Sequence, residues 1–348
     1  MAIFDHPEFD DHEQVVFCRD REAGLKAIIA IHNMARGPAL GGCRMWPYGS
    51  EAEAVTDALR LSRGMTYKSA LAELPYGGGK SVIIGDPKTD KNEALFRAMG
   101  RFVESLGGRY IVAEDVGISV EDVETMAQTT THAAGTRAAA VGDPSPATAY
   151  GVFMGLRAAV AHRLGRKDLR GLRVAVQGLG HVGMGLCRHL AEAGAVLTVS
   201  DLDPARLAQA RADFDAQAVA PAAIIDAEAD VFAPCALGAV LNDETIPRLN
   251  ARVVAGSANN QLAAPRHGAA LAARNILYAP DYVINAGGVI HISHEGPAYN
   301  EAAAVAHVAR IHDTLREIFS RAEAAGTATS EAADRLAEER LSDIRTAA

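Results

Sequence analysis

The chain has 348 residues, which at roughly 150 residues per domain predicts two domains and excludes a single disulfide-stapled module. Hydrophobic residues make up 49% and charged residues 22%, a balance that excludes wholesale disorder. The 34 basic against 43 acidic side chains leave a net charge of −9, so the summed field repels polyanions and no nucleic acid partner is expected.

Cys18, Cys43, Cys187 and Cys235 are far apart and form no Cys-x-x-Cys pair, the usage of reduced thiols. The start, from Met1 to Pro7, lacks a basic segment followed by an apolar one, and no apolar run approaches the ~18 residues of a membrane span. A cytoplasmic protein with no membrane partner is expected.

In chain order, Lys26 to Ile31 reads as a buried strand, a helix is predicted from Glu51 to Arg63 after Ser50, and Ser81 to Ile84 reads as another strand. Asn92 to Leu106 is amphipathic at helical spacing, and Tyr110 to Val112 is strand-like. Gly142-Asp143-Pro144-Ser145-Pro146 then breaks the pattern and marks a domain boundary. Beyond it a helix is predicted over 147–163, and the strand Arg173 to Gln177 leads into a glycine-rich turn and a helix reaching Ala193. Strands follow at Val196 to Ser200, Asp230 to Ala233, Arg252 to Ala255 and Ile276 to Tyr278. Such alternation means a parallel sheet wrapped by helices. The predicted fold class is therefore α/β in two domains, 1–140 and 141–324. The Ala-, Glu- and Arg-rich helix over about 325–348 has a possible return to the first.

The turn Gly178-Leu179-Gly180-His181-Val182-Gly183 follows a predicted strand and opens a predicted helix, and a second strand ends at Asp201. In that context the glycines read as a dinucleotide fingerprint. The first permits the tight turn, the second lets backbone approach a pyrophosphate, and the third lets helix and strand pack closely. Asp201 would accept from the adenosine ribose hydroxyls and repel a 2′-phosphate. Leu202 follows it rather than an arginine, which favours NAD, although Arg206 is close enough to keep NADP in view.

Other cofactor readings fail. A Walker loop ending at Gly79-Lys80-Ser81 needs a glycine where Leu74 stands. No His-Glu-x-x-His occurs, Pro234-Cys235 lacks a second cysteine, and His291 with His294 lacks a third ligand, so no metal is expected. Lys68 and Lys80 stand out. Gly77, Gly78 and Gly79 beside Lys80 are costly in conformational entropy, so they mark either a place where backbone must come close to something or a flexible surface turn.

The segment Leu74-Pro75-Tyr76-Gly77-Gly78-Gly79-Lys80-Ser81-Val82-Ile83-Ile84-Gly85-Asp86-Pro87 resembles the active-site segment of the glutamate, leucine, phenylalanine and valine dehydrogenases. Further matches are Gly37-Pro38-Ala39-Leu40-Gly41-Gly42, Ala113-Glu114-Asp115-Val116-Gly117, Pro234-Cys235-Ala236-Leu237-Gly238, Ala258-Asn259-Asn260 and Asn285-Ala286-Gly287-Gly288. They run in family order over nearly the whole chain.

The resemblance implies an N-terminal α/β substrate domain and a C-terminal Rossmann domain with a cleft between them, in a homo-oligomer, octamer or dimer. It implies reversible NAD-linked deamination of an L-amino acid to a 2-oxo acid and ammonia. Lys68 carries over as the cation for the substrate carboxylate, with Gly41, Gly42 and Asn285 nearby. Lys80 carries over as the base that activates water, which requires its proton affinity to fall. Asp115 carries over as the proton-relaying acid that holds the amino group. Asn260 resembles the asparagine that fixes the nicotinamide amide, Thr148 approaches the same ring, and Cys235 and Ala236 border the dinucleotide.

Glutamate-specific members have a lysine where Leu40 stands, and a buried side-chain carboxylate facing leucine would be unpaired. Leu40, Ala113, Val289 and Ile292 would form an apolar pocket, with Ala113 and Val289 similar to the leucine-specific pattern. Leucine, with valine and isoleucine accepted, is the expected substrate, and phenylalanine is the alternative. Two readings of other classes remain for comparison: a dinucleotide sensor without chemistry, which would lack Lys68, Lys80 or Asp115, and a 2-hydroxy-acid dehydrogenase, which would need a His–acid pair and an arginine.

Overall fold

In the computed structural model of the chain, residues 3–137, 143–236, 238–296 and 298–347 are described. Met1, Ala2, Gly142 and Leu237, and with them the expected domain boundary at 140/141, lie outside the described residues. Contacts divide the chain into two units. The first comprises Met1–Gly142, Ile292–Tyr299 and Ala337–Ala348, and the second Asp143–His291 and Asn300–Leu336.

The first unit contains β1 (Gln14–Asp20), β2 (Leu25–Asn33), β3 (Ala39–Trp46), α1 (Glu51–Leu71), β4 (Gly77–Ile84), α2 (Glu93–Glu104), β5 (Tyr110–Glu114) and α3 (Val120–Ala127). Its sheet has the order β1-β2-β4-β3-β5, with β1, β2 and β4 antiparallel neighbours and β4, β3 and β5 parallel ones. Alternation along the strands assigns the two faces. Ile29, Ile31, Met45 and Ile83 face a core shared with Phe96, Met99 and Val103 of α2. Ile28, Ala30 and Val82 face Ala54, Ala58 and Leu59 of α1.

Local sequence explains the helix starts. Ser50 caps α1 by accepting from Glu53 N, Asn92 caps α2 by accepting from Leu95 N, and Ser119 with Asp122 forms a capping box on α3. Helix α1 runs past the predicted end at Arg63 to Leu71, so Lys68 rides on a helix. Strand β3, with its paired glycines, carried no strand signal of its own.

In the second unit α4 (Ser145–Leu164) precedes β6 (Arg173–Gln177), α5 (His181–Glu192), β7 (Val196–Ser200), α6 (Pro204–Phe214), β8 (Gln217–Ala218), β9 (Val231–Pro234), β10 (Val253–Val254), α7 (Arg266–Ala273) and β11 (Leu277–Tyr278). Helices α8 (Asp281–Ile284), α9 (Gly287–Ser293), α10 (Glu301–Ala309), α11 (Ile311–Ala325) and α12 (Thr329–Ala347) complete the chain. The sheet is parallel throughout, in the order β11-β10-β9-β6-β7-β8. From β6 the chain proceeds outward first to β7 and β8, then on the other side to β9, β10 and β11. The carboxyl ends of β6 and β9 therefore form the topological switch point at which ligands bind in such sheets. Among the described residues, no helix is long and apolar enough to cross a membrane.

Candidate active site

In the first unit the residues singled out by sequence gather on the sheet face that carries α1. Lys80 shares the parity of Val82 on β4, and Arg44 of β3 pairs with Val82, so both side chains leave the sheet on that face. Leu40 pairs with Gly78 and Gly42 with Ala113, which places Leu40, Gly42 and Ala113 on the same face. Asp115 follows the last residue of β5.

The glycines make these approaches possible. A Cβ on Gly78 would stand 2.0 Å from Thr66 N of α1, and one on Gly79 would stand 2.8 Å from the Tyr110 ring on the opposite face. A Cβ on Gly41 would stand 1.8 Å from Gly79 O. Gly77–Ile84 is thus a buried strand pressed against α1 and Tyr110, rather than a surface turn. Lys68, partly buried, lies two residues beyond Thr66, whose hydroxyl is joined to His32 Nδ1 at 2.8 Å. Tyr110 donates to Gly41 O at 2.7 Å and fixes the glycine pair from below.

Lys80, only 5% exposed, donates from Nζ to Asp115 Oδ2 at 2.8 Å. Arg44 Nε donates to the same oxygen at 2.9 Å, and Arg44 Nη1 donates to Asp57 Oδ2 at 3.0 Å. Tyr48 donates its hydroxyl to Asp57 Oδ2 at 2.6 Å. Burial alone would push the Asp115 carboxyl up. The ammonium of Lys80 and the guanidinium of Arg44 outweigh that cost and hold it at about 2. Two cations on one buried carboxylate form a charge-assisted cluster that keeps Asp115 ionised. Arg44, Asp57 and Tyr48 escaped the sequence reading because they come from different elements with no motif around them.

The second unit carries the glycine turn that the sequence reads as a dinucleotide fingerprint. Gly178 has φ +94°, in the left-handed region, and a Cβ there would meet Ala236 Cβ at 2.8 Å. A Cβ on Gly183 would stand 2.0 Å from Gly178 O, whereas one on Gly180, the N-cap of α5, would meet nothing within 4 Å. No side chain caps α5, so its first amides point past Gly180 without a side-chain acceptor, and His181 and Val182 form its first turn. This open helix start fits a pyrophosphate. Leu179 N donates to Asp201 Oδ2 at 2.6 Å and Asp203 N to Oδ1 at 2.8 Å. Those bonds keep the Asp201 carboxyl below its ordinary value against the opposing effect of burial. Arg206 Nη1 lies 3.9 Å from Asp201 Oδ2.

Cys235 N donates to Gln177 O at 2.7 Å, which seats Cys235 and Ala236 beside the turn. Asn285 Nδ2 donates to Ser257 O at 3.1 Å and Asn259 Oδ1 at 2.7 Å, bracing the loop that ends at Asn260. Among the described residues its Oδ1 is buried without a hydrogen-bond partner, an acceptor suited to an amide or amine N–H. Thr148 lies against the same segment, since a Cβ on Gly288 would stand 2.7 Å from its Oγ1. Val289 belongs to this unit, whereas Ile292 belongs to the first, where its Cδ1 faces Gly135.

A Glu/Leu/Phe/Val dehydrogenase dimerisation-domain model matches residues 12–132, and a glutamate/leucine/phenylalanine/valine dehydrogenase model matches residues 142–210 and 204–348. The chain belongs to the Glu/Leu/Phe/Val dehydrogenase family. It is 54% identical to a leucine dehydrogenase of Geobacillus stearothermophilus over 349 aligned positions, spanning 100% of this chain and 95% of that one. The fold is similar to the crystal structure of L-tryptophan dehydrogenase from Nostoc punctiforme, with a TM-score of 0.85 and 48% identity over 96% of this chain and 97% of the other. It is also similar to a hetero-hexameric glutamate dehydrogenase from Thermus thermophilus, with a TM-score of 0.76 and 26% identity, covering 97% and 91% of the two chains. As a member of the Glu/Leu/Phe/Val dehydrogenases, the chain is an amino-acid oxidoreductase that uses a nicotinamide dinucleotide.

Proposed function

We propose that this chain is a leucine dehydrogenase-like enzyme that reversibly deaminates branched-chain L-amino acids, leucine first and valine and isoleucine also, using NAD. The observation that carries the reading is the buried Lys80–Asp115 pair, 2.8 Å apart and braced by Arg44. The first unit takes the substrate-binding and oligomerisation role and the second the dinucleotide. The enzyme is a homo-oligomer of the cytoplasm, where its four free thiols stay reduced.

Lys68 holds the substrate carboxylate together with the Gly41 and Gly42 backbone, and Leu40, Ala113, Val289 and Ile292 line the side-chain pocket. Asp115 holds the amino group. The open N-terminus of α5 takes the pyrophosphate, Asp201 the ribose, and Asn260 and Thr148 the nicotinamide end. Bound there, the dinucleotide supplies the hydride acceptor for the substrate Cα. The Lys80 ammonium must first release its proton to solvent, and the neutral amine then takes a proton from the water that attacks the imine carbon. The hydrogen bond from Nζ to Asp115 Oδ2 is the route by which that proton is shared and returned to the departing ammonia. Water thus provides the new carbonyl oxygen: the C–N bond breaks as the amine is protonated, and the carbinolamine hydroxyl gives its proton to the Lys80 amine as the C=O bond forms. The Asp201 carboxylate supports NAD over NADP through repulsion of a 2′-phosphate.

The test is Lys80→Ala. Turnover should vanish while dinucleotide affinity stays within twofold, and a residual rate above about a tenth would contradict the assignment, because general base catalysis is worth roughly 100-fold or more. Side-by-side kcat/KM values for leucine, valine and phenylalanine, each with NAD and NADP, test the substrate and cofactor. A preference for phenylalanine would overturn the pocket reading.

A further inference from the structure

Asp115 receives both of its cations on one oxygen. Lys80 Nζ and Arg44 Nε each bond to Oδ2, at 2.8 and 2.9 Å, and Oδ1 accepts no hydrogen bond from any described residue. A carboxylate loaded on one side cannot rotate without losing two charge-assisted bonds. Its backbone is fixed too, because Asp115 Cβ would lie 2.7 Å from a Cβ at Gly42 and so occupies the space that this glycine leaves. Arg44 is itself held, with Nη1 on Asp57 Oδ2 at 3.0 Å, and Asp57 is held by the Tyr48 hydroxyl at 2.6 Å.

The titratable groups around Asp115 are Lys80 of β4, Arg44 and Cys43 of β3, Tyr110 of β5, and Tyr48 beyond β3. Burial pushes the Cys43 thiol up to about 12 and raises both tyrosine hydroxyls, so these three stay neutral at working pH. The charged groups of the cluster are Lys80, Arg44 and, behind Arg44, Asp57. Lys80 must change its bonding during turnover if it handles the proton of the attacking water. Arg44, on β3, has no such task, and its two carboxylate partners lie on α1 and just past the end of β5.

We propose that Arg44 is a positioning residue for the deamination chemistry: it clamps Oδ2 of Asp115 throughout turnover, so that Oδ1 faces the substrate nitrogen while Lys80 is free to give and take its proton. The inference rests on the deamination reading given above. It adds the Arg44–Asp57–Tyr48 chain as the support that keeps the relay aligned when Lys80 lets go.

Arg44→Gln and Arg44→Lys, compared with Lys80→Ala, test it through kcat, dinucleotide Kd and two isotope effects, one from Cα-deuterated leucine and one from D2O. Arg44→Gln should lower kcat roughly 10- to 100-fold, the range of a misplaced proton-transfer group. Its D2O effect should rise and its Cα-deuterium effect fall, with dinucleotide Kd unchanged, because proton steps and not hydride transfer become limiting. Arg44→Lys, which keeps a cation but cannot bridge two carboxylates, should recover part of the rate. A kcat within threefold of the parent, or a fall in kcat with both isotope effects unmoved and no recovery in Arg44→Lys, would overturn the proposal.

If Arg44→Gln fails to fold, Asp57→Asn serves instead. It leaves the Arg44 charge but exchanges its charged brace for a neutral amide, and should lower kcat about 3- to 10-fold with the same rise in the D2O effect. An unchanged kcat in that variant also overturns the proposal. The two readings fail differently: an active Lys80→Ala defeats deamination by Lys80, whereas a dead Lys80→Ala beside fully active Arg44 variants defeats this inference alone.

Discussion

Gly42→Ala is the most direct probe of how tightly β3 and the end of β5 define the reacting groups. The added methyl would stand 2.6 Å from Glu114 O and 2.7 Å from Asp115 Cβ. Carbon atoms in contact need about 3.5–4.0 Å, so Asp115 must retreat by about 1 Å. Its bond to Lys80 starts at 2.8 Å and would stretch past hydrogen-bond range. Overpacking of this kind costs roughly 1–3 kcal/mol of stability, and a misplacement of about 1 Å costs on the order of 100-fold in rate. Initial rates of NADH formation and thermal melts on the same preparations read both effects. Gly64→Ala is the control, because a Cβ there meets nothing within 4 Å and the residue lies inside α1. That change should keep full activity and gain about 0.5–1 kcal/mol in helix stability. A Gly42→Ala enzyme that keeps more than about a tenth of the parental kcat would refute the claim that the Asp115–Lys80 geometry is held to within ångströms.

Three further outcomes follow from the same geometry. The Asp115 carboxyl is held at about 2 against an ordinary 3.8. It therefore contributes about 2 kcal/mol of stability that is fully present above pH ~4 and lost as pH falls through ~2. The gap in unfolding free energy between the parent and Asp115→Asn should accordingly narrow between pH 5 and pH 2.5, and a pH-independent gap would contradict the ion-pair account. Gly183→Ala places a methyl 2.0 Å from Gly178 O and should weaken dinucleotide binding ~10-fold or more in a fluorescence titration, about 1.4 kcal/mol; unchanged binding by the folded variant would show that the turn is not the phosphate site. Leu40→Lys should raise the kcat/KM ratio of glutamate to leucine by ~100-fold, since a buried side-chain carboxylate would then be paired. No gain for glutamate would remove Leu40 from the side-chain pocket.

The second unit is the more legible half of the sequence. Arg173 to Gln177 and Val196 to Ser200 are short apolar β-branched runs, and the structure places β6 and β7 on those residues. Their signal is local: a strand, a turn that needs glycine, and a helix follow one another within one stretch of chain. Strand β3 is illegible because Gly41 and Gly42 count against a strand by propensity, yet the close approach of Gly79 O to Gly41 and of Glu114 O to Gly42 demands them. The apolar period of helix α1 reads only to Arg63, because Ser62 and Gly64 dilute it. Tertiary contact carries the helix on to Leu71, through Thr66 against Gly78 and Leu71 in the core. Lys80 could be found from its glycines, which are buried because backbone meets backbone there. Arg44 could not, since only the register of β3 against β4, Arg44 opposite Val82, brings it to the lysine's side of the sheet.

Strand β4 lies in the interior of its sheet, between β2 and β3. The amine that it bears is therefore anchored in the part of the unit whose amides should exchange most slowly with solvent and which should be the last to come apart on warming. Activity lost to mild heat should then trace to the edges, such as β1 or the loops, and return on cooling with the proton relay never having been dismantled.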